Sequence, residues 1–224
     1  MIIIGNGQIA KLFSDYYASD VCLFASGVSD SKCEDDFEFN REKKLLLECM
    51  EKYPNYKFIY FSSCALSASS YPKNQYYLHK QNMEEIIQKN VESYYIFRLP
   101  QVFGDLKQHS TLINYIYTCI KDDIEFEIYD KAYRYVIEIN DIKIIVDYFL
   151  KNYSPSIVAN ITNPFRYKVL DLVKIIEYKS KKRGIYKIVS RSDGYFLENS
   201  NYINETMKLR LRFGKDYFYN KLKI

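Results

Sequence analysis

The residues best suited to chemistry lie in one stretch, residues 58–87, which reads as a strand, a polar loop and a helix. The apolar run at 58–61 is typical of a strand buried on both faces of a parallel sheet. Ser62 and Ser63 follow this strand, and Tyr76 and Lys80 stand four residues apart on one face of the next helix. A cation beside a phenol favours the phenolate, and a serine hydroxyl can hold a substrate oxygen near it. This trio suits proton transfer to or from a carbinol during hydride transfer with a nicotinamide ring.

The Tyr-x-x-x-Lys spacing alone carries little information, because the chain contains 24 tyrosines and many lysines. The spacing begins at Tyr53, Tyr76, Tyr117, Tyr178, Tyr217 and Tyr219. Of these, only Tyr76 opens a helix directly after an apolar strand that ends in Ser-Ser. The context, not the spacing, therefore selects Tyr76 and Lys80 as the candidate pair.

A second candidate site lies in MIIIGNGQIA, at residues 1–10, where an apolar strand runs into a glycine turn and a helix. This is the context of a dinucleotide-phosphate loop of the GxGxxG/A type. Gly5 permits the tight turn, Gly7 lets the backbone approach a pyrophosphate, and Ala10 allows close packing of helix on strand. An ordinary strand–helix turn is the alternative. The predicted phosphate contacts are Gly5, Gly7, Gln8, Ile9 and Ala10.

Together these two stretches resemble the extended short-chain dehydrogenase/reductase superfamily, in its nucleotide-sugar-modifying branch of epimerases, dehydratases and reductases. The resemblance implies an α/β fold: a Rossmann-like, doubly wound parallel sheet with fewer strands than usual and a small C-terminal annex. It also implies NAD or NADP as cofactor and a nucleotide-sugar as substrate. By that resemblance Ser63, Tyr76 and Lys80 are the catalytic residues: Tyr76 is the acid/base, and Lys80 lowers its pKa and holds the nicotinamide ribose.

Four further passages extend the resemblance. Ser26 and Gly27 resemble the loop after the family's fourth strand, and RLPQVFG at 98–104 resembles its R-x-P-x-V-[YF]-G passage, which places Leu99 and Pro100 beside the nicotinamide. Arg134 matches an arginine that grips the diphosphate; a surface arginine on an edge strand is the alternative. Ser62-Ser63-Cys64 resembles the Ser-Ser-Cys of the GDP-sugar epimerase-reductases. The resemblance thus makes Ser62, Cys64 and Arg134 substrate-binding candidates, and a merely buried cysteine is the alternative for Cys64.

The chain also departs from the family. No counterpart exists for the usual second and third strands, so the adenine side of the cofactor site is expected to be truncated. A right-handed crossover from the first strand to the next would then move the first helix to the opposite sheet face. Cys64 and Ala65 occupy the places where the dehydratases carry acidic residues, so dehydration is not expected. The predicted core covers 1–105 and 133–165, and the annex covers 106–132 and 166–224.

Composition excludes several other classes. Lys and Arg number 32 against 28 Asp and Glu, and this net charge of +4 does not indicate a nucleic-acid-binding protein. Five cysteines without a CxxC pair and two histidines predict no metal site. No apolar run is long enough to span a membrane. The odd cysteine count without a signal peptide predicts a cytoplasmic protein.

Three functions remain open from the sequence. The first is an NAD(P)-dependent epimerase or reductase of a nucleotide-linked sugar, in surface polysaccharide biosynthesis. The second is a catalytically degenerate nucleotide-sugar-binding or regulatory protein on the same scaffold, and the third is an interaction protein without a ligand. The resemblance also implies a homodimer that packs the predicted helices 39–51 and 75–89 into a four-helix bundle.

Overall fold

The computed structural model describes residues 1–104, 111–197 and 202–224. The strands are β1 (Ile2–Ile4), β2 (Val21–Phe24), β3 (Lys57–Ser63), β4 (Tyr94–Leu99), β5 (Gln101–Phe103), β6 (Phe126–Arg134), β7 (Val136–Glu138), β8 (Ile157–Asn160), β9 (Tyr167–Lys168) and β10 (Tyr186–Asp193). The helices are α1 (Gln8–Leu12), α2 (Asp36–Lys52), α3 (Gln75–Asn90), α4 (Leu112–Lys121), α5 (Ile139–Asn152), α6 (Val169–Ser180), α7 (Ile203–Met207) and α8 (Tyr217–Lys221).

Within these residues, five parallel strands form the main sheet in the order β1-β2-β3-β4-β8. All four residues of β2 are buried, and β3 is buried over most of its length, as expected for a sheet covered on both faces. The predicted Rossmann-like parallel sheet with a reduced number of strands is confirmed. β1 is the edge of this sheet, and the strand after α1 pairs directly with it.

Helices cover the two faces of the main sheet. On one face, α2 and α3 bury a core that includes Phe24, Phe58 and Leu46. On the other face, α1 and α5 bury a core that includes Phe13, Phe97 and Phe149. Helix packing on both faces is what holds the central strands out of water.

The predicted move of the first helix is wrong. Because β1, β2 and β3 follow one another in one direction across the sheet, right-handed crossovers would place α1 and α2 on the same face. Instead α1 packs against α5, on the face opposite α2 and α3. The β1–α1–β2 connection therefore has the opposite hand to the β2–α2–β3 connection.

A second hydrophobic core lies outside the main sheet. Here β6 pairs in parallel with β10 and antiparallel with β9, and α4, α6 and α8 pack against this small sheet. Asp141 at the start of α5 anchors α8, because its carboxylate accepts hydrogen bonds from Tyr217 Oη at 2.6 Å and Lys221 Nζ at 2.7 Å. The division into a core and an annex stays a prediction: β6 crosses the predicted boundary between 132 and 133, Leu211 packs into the core of the main sheet, and the boundary between 105 and 106 lies outside the described residues.

Among the described residues, no helix is both long and apolar enough to cross a membrane.

The turn after β1 depends on glycine at one position. Gly5 has φ +121°, and a Cβ placed there would lie 2.4 Å from the carbonyl oxygen of Ala25 at the end of β2. Both the backbone conformation and the close approach of the two strand ends exclude a side chain. Gly7 is different, since a Cβ at this residue would meet no atom within 4 Å and its φ is −74°.

We therefore expect Gly5→Ala to lower the free energy of unfolding by about 2 kcal/mol or more, because the new methyl group strains the backbone and collides with Ala25. Gly7→Ala is the matched control and should change the free energy of unfolding by less than about 0.5 kcal/mol. Urea denaturation of both variants measures the difference. Equal stability of the two variants would contradict the close approach at Gly5.

Candidate active site

The carboxyl ends of β1, β2, β3 and β4 lie along one edge of the main sheet and carry most of the predicted site. Gly5 lies close to the residues that follow β2. A Cβ added to Gly5 would lie 3.0 Å from the backbone nitrogen of Ser26. Gly5, Gly7 and Gly27 are exposed at this edge, whereas Ala10 is buried against the sheet. Leu99 ends β4 and Pro100 follows it, at the same edge. This is the edge at which ligands bind in open α/β sheets.

Lys80 lies on the inner side of this edge and is almost completely buried, at 2% exposure. Its Nζ donates to Glu42 Oε1 at 3.0 Å and to Tyr60 Oη at 3.1 Å. A Cβ on Gly27 would lie 2.7 Å from this Nζ, so the backbone of Gly27 rests directly on the ammonium. Lys80 is thus held beneath the β2 loop (residues 25–28).

Glu42, on α2, is the centre of this arrangement and was not predicted from the sequence. Its carboxylate is fully buried and accepts hydrogen bonds from Val28 N at 2.7 Å, Tyr60 Oη at 2.8 Å, Lys80 Nζ at 3.0 Å and His79 Nε2 at 3.1 Å. Burial by itself would raise the pKa of this carboxyl group. The charge of Lys80 and the hydrogen bonds from His79 and Val28 outweigh burial and lower the pKa to about 2.

The residue spacing in α2 indicates that Glu42 is buried, although Glu42 was not among the predicted site residues. Phe39, Leu46 and Cys49 form the buried stripe of α2, and Glu42 falls on the same stripe at helical spacing. A carboxylate on an apolar stripe requires a buried partner, because an unpaired buried charge is strongly unfavourable. Lys80, on the buried stripe of α3, is that partner.

Tyr76 lies beside this ion pair, with Lys80 Nζ 5.9 Å from the centre of its ring. The side chain is 8% exposed, and no hydrogen bond joins its hydroxyl to another described residue. The pKa of Tyr76 is raised, first by burial and then by Tyr77 and Glu42. This direction is opposite to the predicted effect of Lys80 on the phenol. Burial of the phenol is the largest cause, and the neighbouring Tyr77 and Glu42 add to it.

The two serines at the end of β3 point to opposite faces of the sheet, because side chains alternate along a strand. Ser62 shares the face of Tyr60, on which α3 and Lys80 lie, and its Oγ is buried without a hydrogen-bond partner among the described residues. Ser63 Oγ instead accepts from Ala65 N at 3.4 Å and caps the short 3-10 helix Cys64–Ser67. The structure therefore places Ser62, rather than Ser63, on the face that carries Tyr76.

Cys64 is fully buried, and its Sγ lies 2.9 Å from the hydroxyl of Tyr195. Burial raises the pKa of the thiol to about 12, although the hydrogen bond with Tyr195 acts in the other direction. Tyr195 stacks on Tyr135, so the segment after β10 covers the thiol. Cys64 is consequently a neutral thiol near neutral pH in this arrangement.

Arg134, at the end of β6, comes from the annex rather than from the main sheet. Its Nη2 lies 2.5 Å from the carboxylate of Asp193, and its Nη1 donates to the backbone oxygens of Asp193 and Tyr133. The guanidinium side chain retains 17% exposure. Asp193 thus binds the guanidinium group of Arg134, which was predicted to bind a diphosphate.

Solved structures of similar fold were found by comparison, whereas no family model and no curated protein sequence matches this chain. The dTDP-4-dehydrorhamnose reductase of Bacillus anthracis, in complex with NADP, is 13% identical with a TM-score of 0.74 and covers 91% of each chain. The UDP-glucose 4-epimerase of Thermus thermophilus, in complex with NAD, is 11% identical with a TM-score of 0.71 and covers 95% of this chain and 79% of its own. The dTDP-glucose 4,6-dehydratase of Bacillus anthracis, in complex with NAD, is 15% identical with a TM-score of 0.71 and covers 90% of this chain and 70% of its own.

The chain therefore has the fold of the extended short-chain dehydrogenase/reductase enzymes, as its sequence predicted. At 11–16% identity this likeness establishes the fold and leaves the individual site residues as predictions. Glu42 and Lys80 provide the sharpest test of the site geometry.

We expect Glu42→Gln to lower the free energy of unfolding at pH 7 by about 3 kcal/mol, because Lys80 is left buried without its counter-charge. The pKa of Glu42 in the folded protein, about 2, lies below the usual glutamate value of 4.5. The ionised carboxylate therefore contributes its full stabilisation above the unfolded-state pKa of 4.5. This stabilisation is lost as the pH falls towards the folded-state pKa of about 2.

The difference in stability between wild type and Glu42→Gln should accordingly shrink between about pH 5 and pH 2, as measured by urea denaturation at several pH values. Glu48→Gln is the control on the same helix, since the ion pair of Glu48 with Lys44 is exposed. It should change the stability by less than about 0.5 kcal/mol. A difference for Glu42→Gln that stays constant with pH would contradict the depressed pKa.

Proposed function

We propose that this chain is an NAD(P)-dependent enzyme that acts on a nucleotide-linked sugar as an epimerase or a reductase. The proposal places the reacting sugar carbon at the carboxyl edge of the main sheet, between Ser62 and Tyr76. Surface polysaccharide biosynthesis is the pathway class that the sequence resemblance suggests. The fold shared with nucleotide-sugar epimerases and reductases supports this kind of function.

One observation carries the proposal: the hydroxyl of Ser62 is buried without a hydrogen-bond partner among the described residues, and the Tyr76 hydroxyl likewise makes no hydrogen bond to a described residue. Buried polar groups are rarely unpaired, and an unpaired one calls for a missing partner. Both hydroxyls belong to the face of the sheet that Lys80 occupies. A substrate oxygen that bonds to both would satisfy them at once.

In this proposal each residue has a limited task. Ser62 donates a hydrogen bond to the reacting oxygen, and Tyr76 exchanges a proton with it. Lys80 fixes the position of Tyr76 from below, and Arg134 binds a phosphate of the nucleotide after release from Asp193. Cys64 stays a buried neutral thiol and shapes the floor of the site.

The residues at the glycine turn fit a dinucleotide on its nicotinamide side. A Cβ on Gly7 would meet no atom within 4 Å, so space is open where the backbone would approach a pyrophosphate. Gly5, Gly7, Gln8, Ile9 and Ala10 would hold the pyrophosphate, and Ser26, Gly27, Leu99 and Pro100 would border the nicotinamide. Once bound, the dinucleotide supplies or accepts the hydride. Since β1 is the sheet edge among the described strands, we propose that the adenosine end is held by fewer contacts than in the solved relatives.

A second candidate function is a catalytically degenerate protein that binds a nucleotide-sugar without turnover. This function is favoured because both cationic side chains of the candidate site form ion pairs with carboxylates of the chain itself. Lys80 is paired with Glu42, and Arg134 is paired with Asp193. Binding of a nucleotide-sugar without turnover requires only that the ion pair between Arg134 and Asp193 opens, so that the guanidinium can bind a phosphate.

A homodimer through α2 and α3 remains part of the proposal on family grounds. The outward faces of these helices carry Phe37, Leu47 and Leu78 at 72%, 43% and 50% exposure, among mostly charged and polar neighbours. Such a surface favours a modest, partly polar interface. Sedimentation velocity measures the oligomeric state directly.

We expect calorimetry to detect binding of at least one nucleotide-sugar from a panel of UDP-, GDP- and dTDP-sugars, and binding of NAD or NADP. Turnover with a bound pair supports the enzyme. Binding of a nucleotide-sugar with neither dinucleotide supports the degenerate protein. No binding by any member of the panel would contradict both proposals and leave an interaction protein.

We expect Tyr76→Phe to reduce turnover by at least a hundredfold while ligand binding and stability stay close to wild type, because only the exchangeable proton is lost. Tyr77→Phe, at the neighbouring position, is the matched control and should retain turnover. Initial rates and calorimetric affinities of both variants make the comparison. Unchanged turnover in Tyr76→Phe would remove Tyr76 from the mechanism.

We expect Ser62→Ala to reduce turnover by at least tenfold, because the buried hydroxyl that faces α3 is lost. Ser63→Ala should reduce turnover far less, since Ser63 points to the other face and only caps a 3-10 helix. The two rate constants are compared under saturating substrate. A larger loss in Ser63→Ala than in Ser62→Ala would return the catalytic hydroxyl to Ser63.

A further inference from the structure

The last residue of β10 and the loop that follows it, residues 193–197 (the β10 strap), lie against the end of β3. The hydroxyl of Tyr195 lies 2.9 Å from the Sγ atom of Cys64, the residue that directly follows β3. The rings of Tyr195 and Tyr135 stack with their centres 5.8 Å apart. The β10 strap therefore covers the carboxyl edge of the main sheet next to the candidate catalytic residues.

Two arginines, one at the end of β6 and one just before β9, bind oxygen atoms of the β10 strap. Arg134 forms an ion pair with the carboxylate of Asp193, and its Nη1 donates to the backbone oxygen of the same residue at 3.1 Å. Arg166 Nη1 donates to the backbone oxygen of Tyr195 at 3.3 Å, and its guanidinium lies 5.2 Å from the centre of the Phe196 ring. Two residues of extended chain span at most about 7 Å, so these oxygens lie close together. The strap thus presents to both guanidinium groups the oxygens that a diphosphate would present.

The β10 strap is otherwise held by few contacts with the described residues. Leu197 N donates to Tyr135 Oη at 3.3 Å. Tyr195 and Leu197 pack with Cys64 and Tyr135 in a small hydrophobic cluster that is separate from the larger cores. The Phe196 side chain is 57% exposed. A segment with so few buried contacts opens at a much lower free energy than the whole fold.

Gly194 joins β10 to the rest of the strap, and the bound strap excludes a side chain at this position. Gly194 has φ +152°, and a Cβ placed there would lie 2.8 Å from the backbone oxygen of Tyr133 on β6. A methyl group would therefore strain the bound strap and push it away from β6. Once the strap is released this collision is absent, so the substitution favours release without changing a charge.

We propose that the β10 strap is an autoinhibitory segment: Asp193 and the strap backbone occupy the position of a diphosphate on Arg134 and Arg166, and a ligand with a diphosphate group binds there only when the strap is released. The affinity of the ligand is then lowered by the fraction of molecules in which the strap is bound. The inference rests on the proposed function only for the nature of that ligand.

The first test measures release of the strap through the reactivity of Cys64 and needs no ligand. The folded protein is treated with N-ethylmaleimide, and alkylation of each cysteine is followed by peptide mass spectrometry. Cys64 should react at least about fivefold faster in Asp193→Asn and about tenfold faster in Gly194→Ala than in wild type, because a released strap exposes the thiol. Asp123→Asn is the matched control, since it removes another carboxylate that pairs with a cation, Lys182. It should keep the wild-type rate.

Two further buried cysteines distinguish release of the strap from unfolding of the protein. Cys119 lies in α4 and Cys22 in β2, and both should react as slowly in the variants as in wild type. Equal acceleration of Cys64 and these two cysteines would show that the whole fold opens and would overturn the proposal. An unchanged rate at Cys64 would overturn it as well. Should Gly194→Ala fail to fold, Asp193→Asn carries this test alone.

The second test measures the binding of inorganic pyrophosphate by calorimetry. Asp193→Asn and Gly194→Ala should both bind it at least about fivefold more tightly than wild type, because the competing strap is released. Gly194→Ala leaves the charge of the site unchanged, so a gain in Asp193→Asn alone would be an effect of charge and would overturn the autoinhibitory role. Adding Arg134→Gln to Gly194→Ala should abolish the gain, which separates this site from the glycine turn after β1. A gain that survives Arg134→Gln would contradict the assigned position.

Nucleotide-sugars separate the failure of this inference from the failure of the proposed function. Equal affinity of wild type and Gly194→Ala for a UDP-, GDP- or dTDP-sugar would overturn the inference and leave the proposed function standing. Tighter binding of pyrophosphate by Gly194→Ala, with no nucleotide-sugar bound by either protein, would defeat the proposed function. The β10 strap would then remain an autoinhibitory segment for a different ligand that carries a diphosphate.

Discussion

The buried ion pair between Glu42 and Lys80 constrains the carboxyl edge of the main sheet. Neither charge can be buried alone, because an isolated ion in a protein interior costs far more than one hydrogen bond returns. Four donors converge on the carboxylate, and one of them is the main chain of the β2 loop. The ion pair links α2 to α3, and the backbone of Gly27 packs directly against Lys80 Nζ.

The pairing of β1 with β2 places the glycine turn beside the β2 loop. β2 pairs directly with β1, and the carboxyl ends of β1 to β4 meet along one edge of the sheet. The first helix stays on the face of α5, at the cost of a connection of unusual hand.

Much of this architecture was readable from the sequence because it rests on local patterns. The apolar runs of β2 to β4, the glycine turn and the Ser-Ser-Cys strand end each predict an element and its place at the sheet edge. What local patterns do not contain is the pairing of distant charges. Glu42 and Lys80 are 38 residues apart in sequence, and only the fold brings them together. The alternation of side chains along β3 likewise decides that Ser62 faces α3. Asp193 and Arg134 form an ion pair although they are 59 residues apart in sequence.

The most direct measurement of the central claim is the carboxyl pKa of Glu42, from a carbon-13 NMR titration with the resonance assigned by its absence in Glu42→Gln. The account predicts a titration midpoint of about 2, because Lys80, His79 and the Val28 N–H stabilise the carboxylate. A midpoint near the usual glutamate value of 4.5 would show that Glu42 is not held in this network and would contradict the buried ion pair with Lys80.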